Sequence, residues 1–217
     1  MNSARRIGAR AGALNCSPGA RSCTGAPSAA EGANEDVAEA DTRSTVHEQV
    51  FTWIGAQVAD LPAPTAVLEV GSLDINGGIR PLFAGADHYH GLDIAAGPGV
   101  DEVADAASWI PPRTYDVVVC AEVLEHAPAW ADILATMWAA TTPGGTVLMT
   151  CATEPRAPHS AIDGLDVRED EHYANVGAGE VRALVATWPD ARWSLEWAQD
   201  RGDLYLRVDK AASTATA

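Results

Sequence analysis

Residues 65–83 read TAVLEVGSLDINGGIRPLF. An apolar, partly β-branched run ends in Glu69, Val70 and Gly71, crosses a polar turn with two more glycines, and then becomes helix-like. Glycine accepts positive φ and lets a ligand approach the backbone closely. Strand, glycine turn and helix together are the unit on which open α/β sheets build nucleotide sites, beyond the carboxyl ends of the strands.

The spacing inside the turn narrows the ligand. A dinucleotide fingerprint G-x-G-x-x-G that starts at Gly71 needs glycines at 73 and 76, where the chain has Leu73 and Asn76. Glu69 stands just before the turn, where its charge would oppose a diphosphate. A nucleoside that carries a cation suits this position, and S-adenosylmethionine carries an ammonium and a sulfonium. HYHGLDI then supplies a second strand ending in Asp93, 24 residues after Glu69, where a carboxylate can accept both ribose hydroxyls. GVDEVADAASWI offers Asp105 for the exocyclic amine of an adenine. YDVVVCAEVLEH is a further strand, apolar on consecutive residues as a central buried strand should be, ending in Cys120, Ala121 and Glu122. TTPGGTVLMT places a Pro-Gly-Gly turn before a fifth strand.

Outward from this centre the pattern alternates. RSTVHEQVFTWIGAQVAD, residues 43–60, puts Val46, Val50, Phe51, Ile54 and Val58 at helical spacing, and Pro62 and Pro64 end that helix. Strands are predicted near 65–70, 88–93, 100–104, 115–121 and 145–152, and helices near 78–84, 128–140 and 178–188. ARWSLEWAQ and DLYLRVD form a closing hairpin around Arg201-Gly202. The predicted class is α/β, a doubly wound, mostly parallel sheet with one antiparallel strand from the C-terminal hairpin. Residues 153–177 show no periodicity, and a loop of this length in a domain is usually functional.

Composition excludes several classes. The chain has 217 residues, 14 Lys and Arg against 30 Asp and Glu, and a net charge of −16. That surface repels phosphate backbones, so nucleic acid is not an expected partner. No apolar run approaches the ~18 residues of a membrane span. Residues 1–42 are rich in Gly, Ala, Ser and Pro and carry arginines without an apolar signal core, so they are expected to be a disordered tail. Residues 43–210 are expected to form the domain and 211–217 a flexible end. Cys16, Cys23, Cys120 and Cys151 form no C-x-x-C pair and read as reduced thiols of a cytoplasmic protein.

Taken together, VLEVGS with NGGIR, GLDI, VADAA, DVVVCAEVLEH and PGGTVLMT resemble a class I S-adenosylmethionine-dependent methyltransferase, from about residue 46 to 209. The resemblance implies a Rossmann-like, seven-stranded sheet with the last strand antiparallel. It implies cofactor contacts at Glu69, Gly71, Asp93, Asp105 and Ala106, and from Cys120 to Glu122, with Ser72, Asn76 and Gly77 forming the rest of the turn. Leu73 and Ile75 depart from the family's alternate glycines, which makes Gly77 the late glycine of a variant turn.

Methyl transfer needs an aligned acceptor, and a base only where the acceptor must lose a proton. His159 and His172, in the long loop, are the candidate catalytic residues. His126 follows strand four and reads as structural or cofactor-adjacent, while Trp109 and Tyr173 are candidate aromatic walls. His88 and His90 share a strand face without a third ligand, so no metal site is expected. A small-molecule acceptor with an oxygen or nitrogen nucleophile fits best, because no Asn- or Asp-Pro-Pro-Tyr follows strand four. A non-catalytic binder of the same fold is the alternative, and a nicotinamide oxidoreductase is disfavoured by Leu73 and Asn76.

Overall fold

The apolar runs at residues 66–70 and 115–121 lie side by side at the centre of one sheet. The computed structural model describes residues 48–75 and 77–213, so the tail, Cys16, Cys23, Asn76 and the last four residues lie outside the described residues. Helix α1 covers residues 48–59. It is followed by β1 (Ala66–Val70), β2 (His88–Asp93), β3 (Glu102–Val103), β4 (Tyr115–Ala121), α2 (Trp130–Ala140), β5 (Thr141–Ala152), α3 (Ala178–Val185), β6 (Ala191–Ala198) and β7 (Asp203–Lys210). The seven strands run in the order β3-β2-β1-β4-β5-β7-β6. β1 pairs in parallel with both β2 and β4, so the strand order reverses at β1 and a crevice opens beside its carboxyl end. β7 alone runs antiparallel, wedged between β5 and β6.

Burial explains which runs became strands. Every residue of β1 is buried, because both faces of the sheet are covered. On one face Leu68, Val118, Cys120 and Met149 pack under Leu134 and Met137 of α2 and Val181 of α3. On the other, Val67, Val117, Val119 and Leu148 meet Val50 and Ile54 of α1 together with Ile79 and Phe83. Among the described residues no helix is long and apolar enough to cross a membrane.

Three local expectations are corrected. The helix expected at 78–84 is a single 3-10 turn, Arg80–Phe83, with Pro81 in its first positions and no side-chain cap. The third strand shrinks to Glu102–Val103, because the Asp101 carboxylate takes the Gly91 N–H at 2.8 Å in place of a backbone carbonyl. β5 starts at Thr141, directly after α2, and the Pro-Gly-Gly segment becomes a bulge within it. Tyr115 faces Thr141 while Val117 faces Thr146, with Gly144 at φ 87° between.

Candidate functional site

Gly71 ends β1 in the left-handed region, at φ 78°, and a Cβ there would lie 2.1 Å from Val123 Cγ2. The turn is tied to the end of β2: Gly71 and Ser72 N–H both donate to the Leu92 carbonyl, at 2.8 and 3.2 Å. Asp93 adds two bonds, accepting from Leu73 N at 3.0 Å and from Ala95 N at 2.9 Å, one on each carboxylate oxygen. Asp93 therefore holds the turn in shape while standing at the strand end. Gly77 N donates to Asp74 at 2.8 Å, which closes the late part of the turn.

Glu69 stands at the end of β1, two residues before Gly71, and is largely buried. It is 6% exposed. Its Oε2 accepts from Tyr89 Oη at 2.6 Å. Burial pushes the Glu69 carboxyl up to about 7, against the opposing pull of the Tyr89 bond and the Arg80 charge, and burial raises the Tyr89 phenol as well. The physical cause is side-chain parity: residues 67 and 69 point to the α1 face, where Tyr89 and Arg80 wait.

At the end of β4, Glu122 takes φ 55°, a conformation that side chains resist and that marks functional corners. Among the described residues its Oε1 is buried without a partner, and so is the Oγ of Ser72 on the β1 side. The Cys120 thiol is fully buried in the α2-side core and pushed well up by that burial, so only its main chain borders the crevice. Asp105 is exposed, its Oδ1 accepting from Ala107 N at 2.9 Å, and Ala106 beside it is buried. Ile94, directly after Asp93, is 76% exposed, and Val103 is 55% exposed. The sequence reading passed over Ile94; its signal was a large apolar side chain following an acid at a strand end.

Beyond β4 a second group assembles. Leu124–His126 forms a 3-10 turn, and residues 153–177 fold over it as an irregular loop. The loop is pinned at several points: Ala174 N donates to the Glu125 carbonyl at 2.8 Å, Val176 N to Ala152 O at 3.0 Å, and Ser160 Oγ to Glu171 at 2.7 Å. His126, His159 and Tyr173 contact one another through their rings, with centroids 4.8 to 5.4 Å apart. Burial, then the nearby His159, lowers His126 to about 4. Glu125 is fully buried, and burial followed by the Glu122 charge drives its carboxyl above the ordinary carboxylate range. Of the two loop histidines, His159 joins this group and the His172 side chain is exposed. Arg156 pairs with the buried Asp203 and reaches Glu122 at 4.0 Å. Trp109 instead donates to Glu102 at 2.8 Å and packs on His90, at the β2–β3 edge. His90 is itself used on both ring nitrogens, by Tyr115 and Glu102.

A cavity of about 620 Å³ lies between α1 and the β6–β7 hairpin, lined by Gln49, Trp53, Glu196, Trp197, Arg201 and Tyr205. Asp203 connects it to the end of β4, since Arg201 and Arg156 both reach that carboxylate.

A family model described as a methyltransferase domain matches residues 43–198. A ubiquinone biosynthesis O-methyltransferase of Burkholderia multivorans is 37% identical over 100 residues, covering 45% of this chain and 35% of that protein. The chain thus spans about a third of the length of the curated relatives it matches. Among solved structures, an S-adenosylmethionine-bound amino pentose methyltransferase from Micromonospora echinaspora aligns with a TM-score of 0.56 at 16% identity, over 84% of this chain and 100% of that one. The magnesium protoporphyrin IX methyltransferase of Synechocystis PCC 6803, also with S-adenosylmethionine bound, gives a TM-score of 0.54 at 17% identity, over 84% of this chain and 87% of that one. At such identities these structures share the fold with this chain.

Proposed function

This chain belongs to the methyltransferase-domain family, and from that premise we propose that it is an S-adenosylmethionine-dependent enzyme that methylates an oxygen or nitrogen nucleophile of a small molecule. The observation that carries the reading is the crevice at the switch point. Gly71 and Glu122 occupy left-handed conformations at the ends of adjacent strands, and each side of the crevice holds a buried polar atom without a partner among the described residues, Ser72 Oγ and Glu122 Oε1. Such atoms cost free energy unless a ligand satisfies them. These residues fit a nucleoside that carries an amino acid.

In this reading Asp93 accepts the ribose hydroxyls, using the lone pairs left free beside its two backbone bonds. Asp105 accepts from the adenine amine, and Ile94 and Ala106 cover the ring. Gly71, Ser72, Gly77 and the main chain from Cys120 to Glu122 line the aminoacyl end. Glu69 acts through the shape of the turn and the Tyr89 contact. S-adenosylmethionine supplies an electrophilic methyl: the acceptor's lone pair forms the new bond to carbon while the carbon–sulfur pair returns to sulfur. The chain's own part is to position that acceptor and keep water out. His159 is the proposed group for the acceptor proton, and the aromatic cavity beside Trp53, Trp197 and Tyr205 gives room for the acceptor's body. The net charge of −16 favours a small acceptor over a polyanion.

Calorimetry with S-adenosylmethionine and with NAD, followed by a search for S-adenosylhomocysteine release with a panel of phenols, carboxylic acids and amines, tests the proposal. Binding of the first nucleotide and product release support it. Absence of S-adenosylmethionine binding overturns it, and binding without release for any acceptor favours the non-catalytic binder.

A further inference from the structure

Glu125, His126 and His159 each offer a ligand atom, and the three atoms lie within 4.8 Å of one another. We propose that they bind a divalent first-row cation of the Mn2+, Co2+ or Zn2+ class.

The burial of Glu125 is the strongest argument. Its side chain is fully buried, and neither carboxylate oxygen has a partner of good hydrogen-bond geometry among the described residues, although the Glu125 and Ala152 main-chain N–H groups lie near it. An ionised carboxylate in that position needs a cation, because burying an unpaired charge costs several kcal/mol. The nearby guanidinium is committed elsewhere: Arg156 pairs with buried Asp203 and leans toward Glu122 at 4.0 Å. His126 repeats the pattern, with Nδ1 buried and unpartnered. Two adjacent side chains, Glu125 and His126, thus hold buried polar atoms without partners among the described residues, and one ion would account for both.

The donor set decides the class of ion. Two imidazoles with one carboxylate suit Mn2+, Co2+ or Zn2+ better than Mg2+ or Ca2+, which prefer oxygen alone. Tetrahedral ligands at ~2.1 Å from a metal stand about 3.4 Å apart, so atoms up to 4.8 Å apart must draw in by as much as about 1.4 Å. His159 can supply that movement, being partly exposed on a loop and held by its neighbours' rings and one Nδ1 contact to Ala157 O at 3.1 Å. Glu125 and His126 are fixed in the 3-10 turn, so a rigid pair awaits a movable third ligand.

The site lies on the acceptor side of the crevice. If the methyltransferase reading holds, a bound cation would draw in an acceptor hydroxyl and lower its pKa, which selects an oxygen nucleophile and replaces His159 as the group that deals with the acceptor proton. The metal site itself does not depend on that reading.

The full-length chain, stripped with a chelator, is titrated with Co2+ and followed by visible absorption, with Zn2+ as competitor. The expected result is one equivalent bound with ligand-field bands characteristic of imidazole and carboxylate, displaced by Zn2+. His159→Ala should weaken binding at least tenfold while thermal unfolding of the apo chain stays unchanged. Glu125→Gln should do the same, and His159→Ala remains informative if that buried variant fails to fold. Failure to bind Co2+ at millimolar metal, or binding untouched by His159→Ala, overturns the proposal. S-adenosylmethionine calorimetry on the same apo sample reports separately on the methyltransferase reading.

Discussion

Glu69 sits just before the glycine turn with Tyr89 as its donor and with Arg80, Asp74 and Asp93 as charged neighbours. Its carboxyl titrates at about 7, above the ordinary 4.5. The folded chain therefore holds an extra proton between those values. The stabilisation is fully present below pH 4.5 and is lost as pH rises through 7, by no more than about 3 kcal/mol. Urea unfolding of wild type and Glu69→Gln from pH 5 to 8 should show the variant gaining relative stability as pH rises. A constant difference would mean that Glu69 does not titrate there. Asp93 is a second residue with two tasks. Asp93→Ala is expected to weaken S-adenosylmethionine binding at least tenfold, about 1.4 kcal/mol. The same change releases Leu73 and Ala95 N–H, so amide exchange in the turn should speed up even without ligand. Unchanged affinity by calorimetry would remove the ribose assignment.

At the scale of elements, the turn after β1 and the loop after β5 differ in how they can be broken. Gly71→Ala puts a Cβ into Val123 and imposes a positive φ on a side chain. A loss of about 1–3 kcal/mol in stability is expected from the backbone conformation alone, together with loss of cofactor binding. Arg156→Ala strips one partner from the wholly buried Asp203, and about 3–5 kcal/mol is expected in thermal or urea unfolding, partly offset by Arg201. The elements were legible in the sequence where burial on two faces or one left a periodic mark. β1 and β4 read as unbroken apolar runs, and β6 alternates Trp193 and Leu195 inward with Arg192, Ser194 and Glu196 outward. The 3-10 turn at Arg80 and the two-residue β3 were not legible, because Asp101 and Pro81 decide them through local geometry that hydrophobic pattern does not record. The same holds within the site. Gly71 and Asp93 stand out because backbone shape demands their residue types. Glu125 does not, since a carboxylate in a mixed stretch reads as solvated and only the fold shows it sealed in.

For the whole molecule, the two faces of the sheet are unequally covered. α2 and α3 share one face, while the other rests on α1 and a single 3-10 turn. Removing residues 1–42 is expected to leave the melting transition and cofactor binding intact. Removing residues 1–60 takes Val50 and Ile54 away from Val67, Val119 and Leu148, so the shorter chain should lose its cooperative transition and aggregate. Circular dichroism melts of the two truncations compare these outcomes, and equal behaviour would show that α1 does not seal the core.

The position of β7 has a further consequence for biogenesis. Among the described residues β6 has no sheet neighbour except β7, and β5 meets β7 along seven register positions from Thr146 to Ala152. On a growing chain β6 therefore emerges with nothing to pair with, and β5 keeps one open edge until β7 arrives. Assembly of this half of the sheet must wait for synthesis to pass Lys210, and until then the β5 edge stays open to wrong pairing.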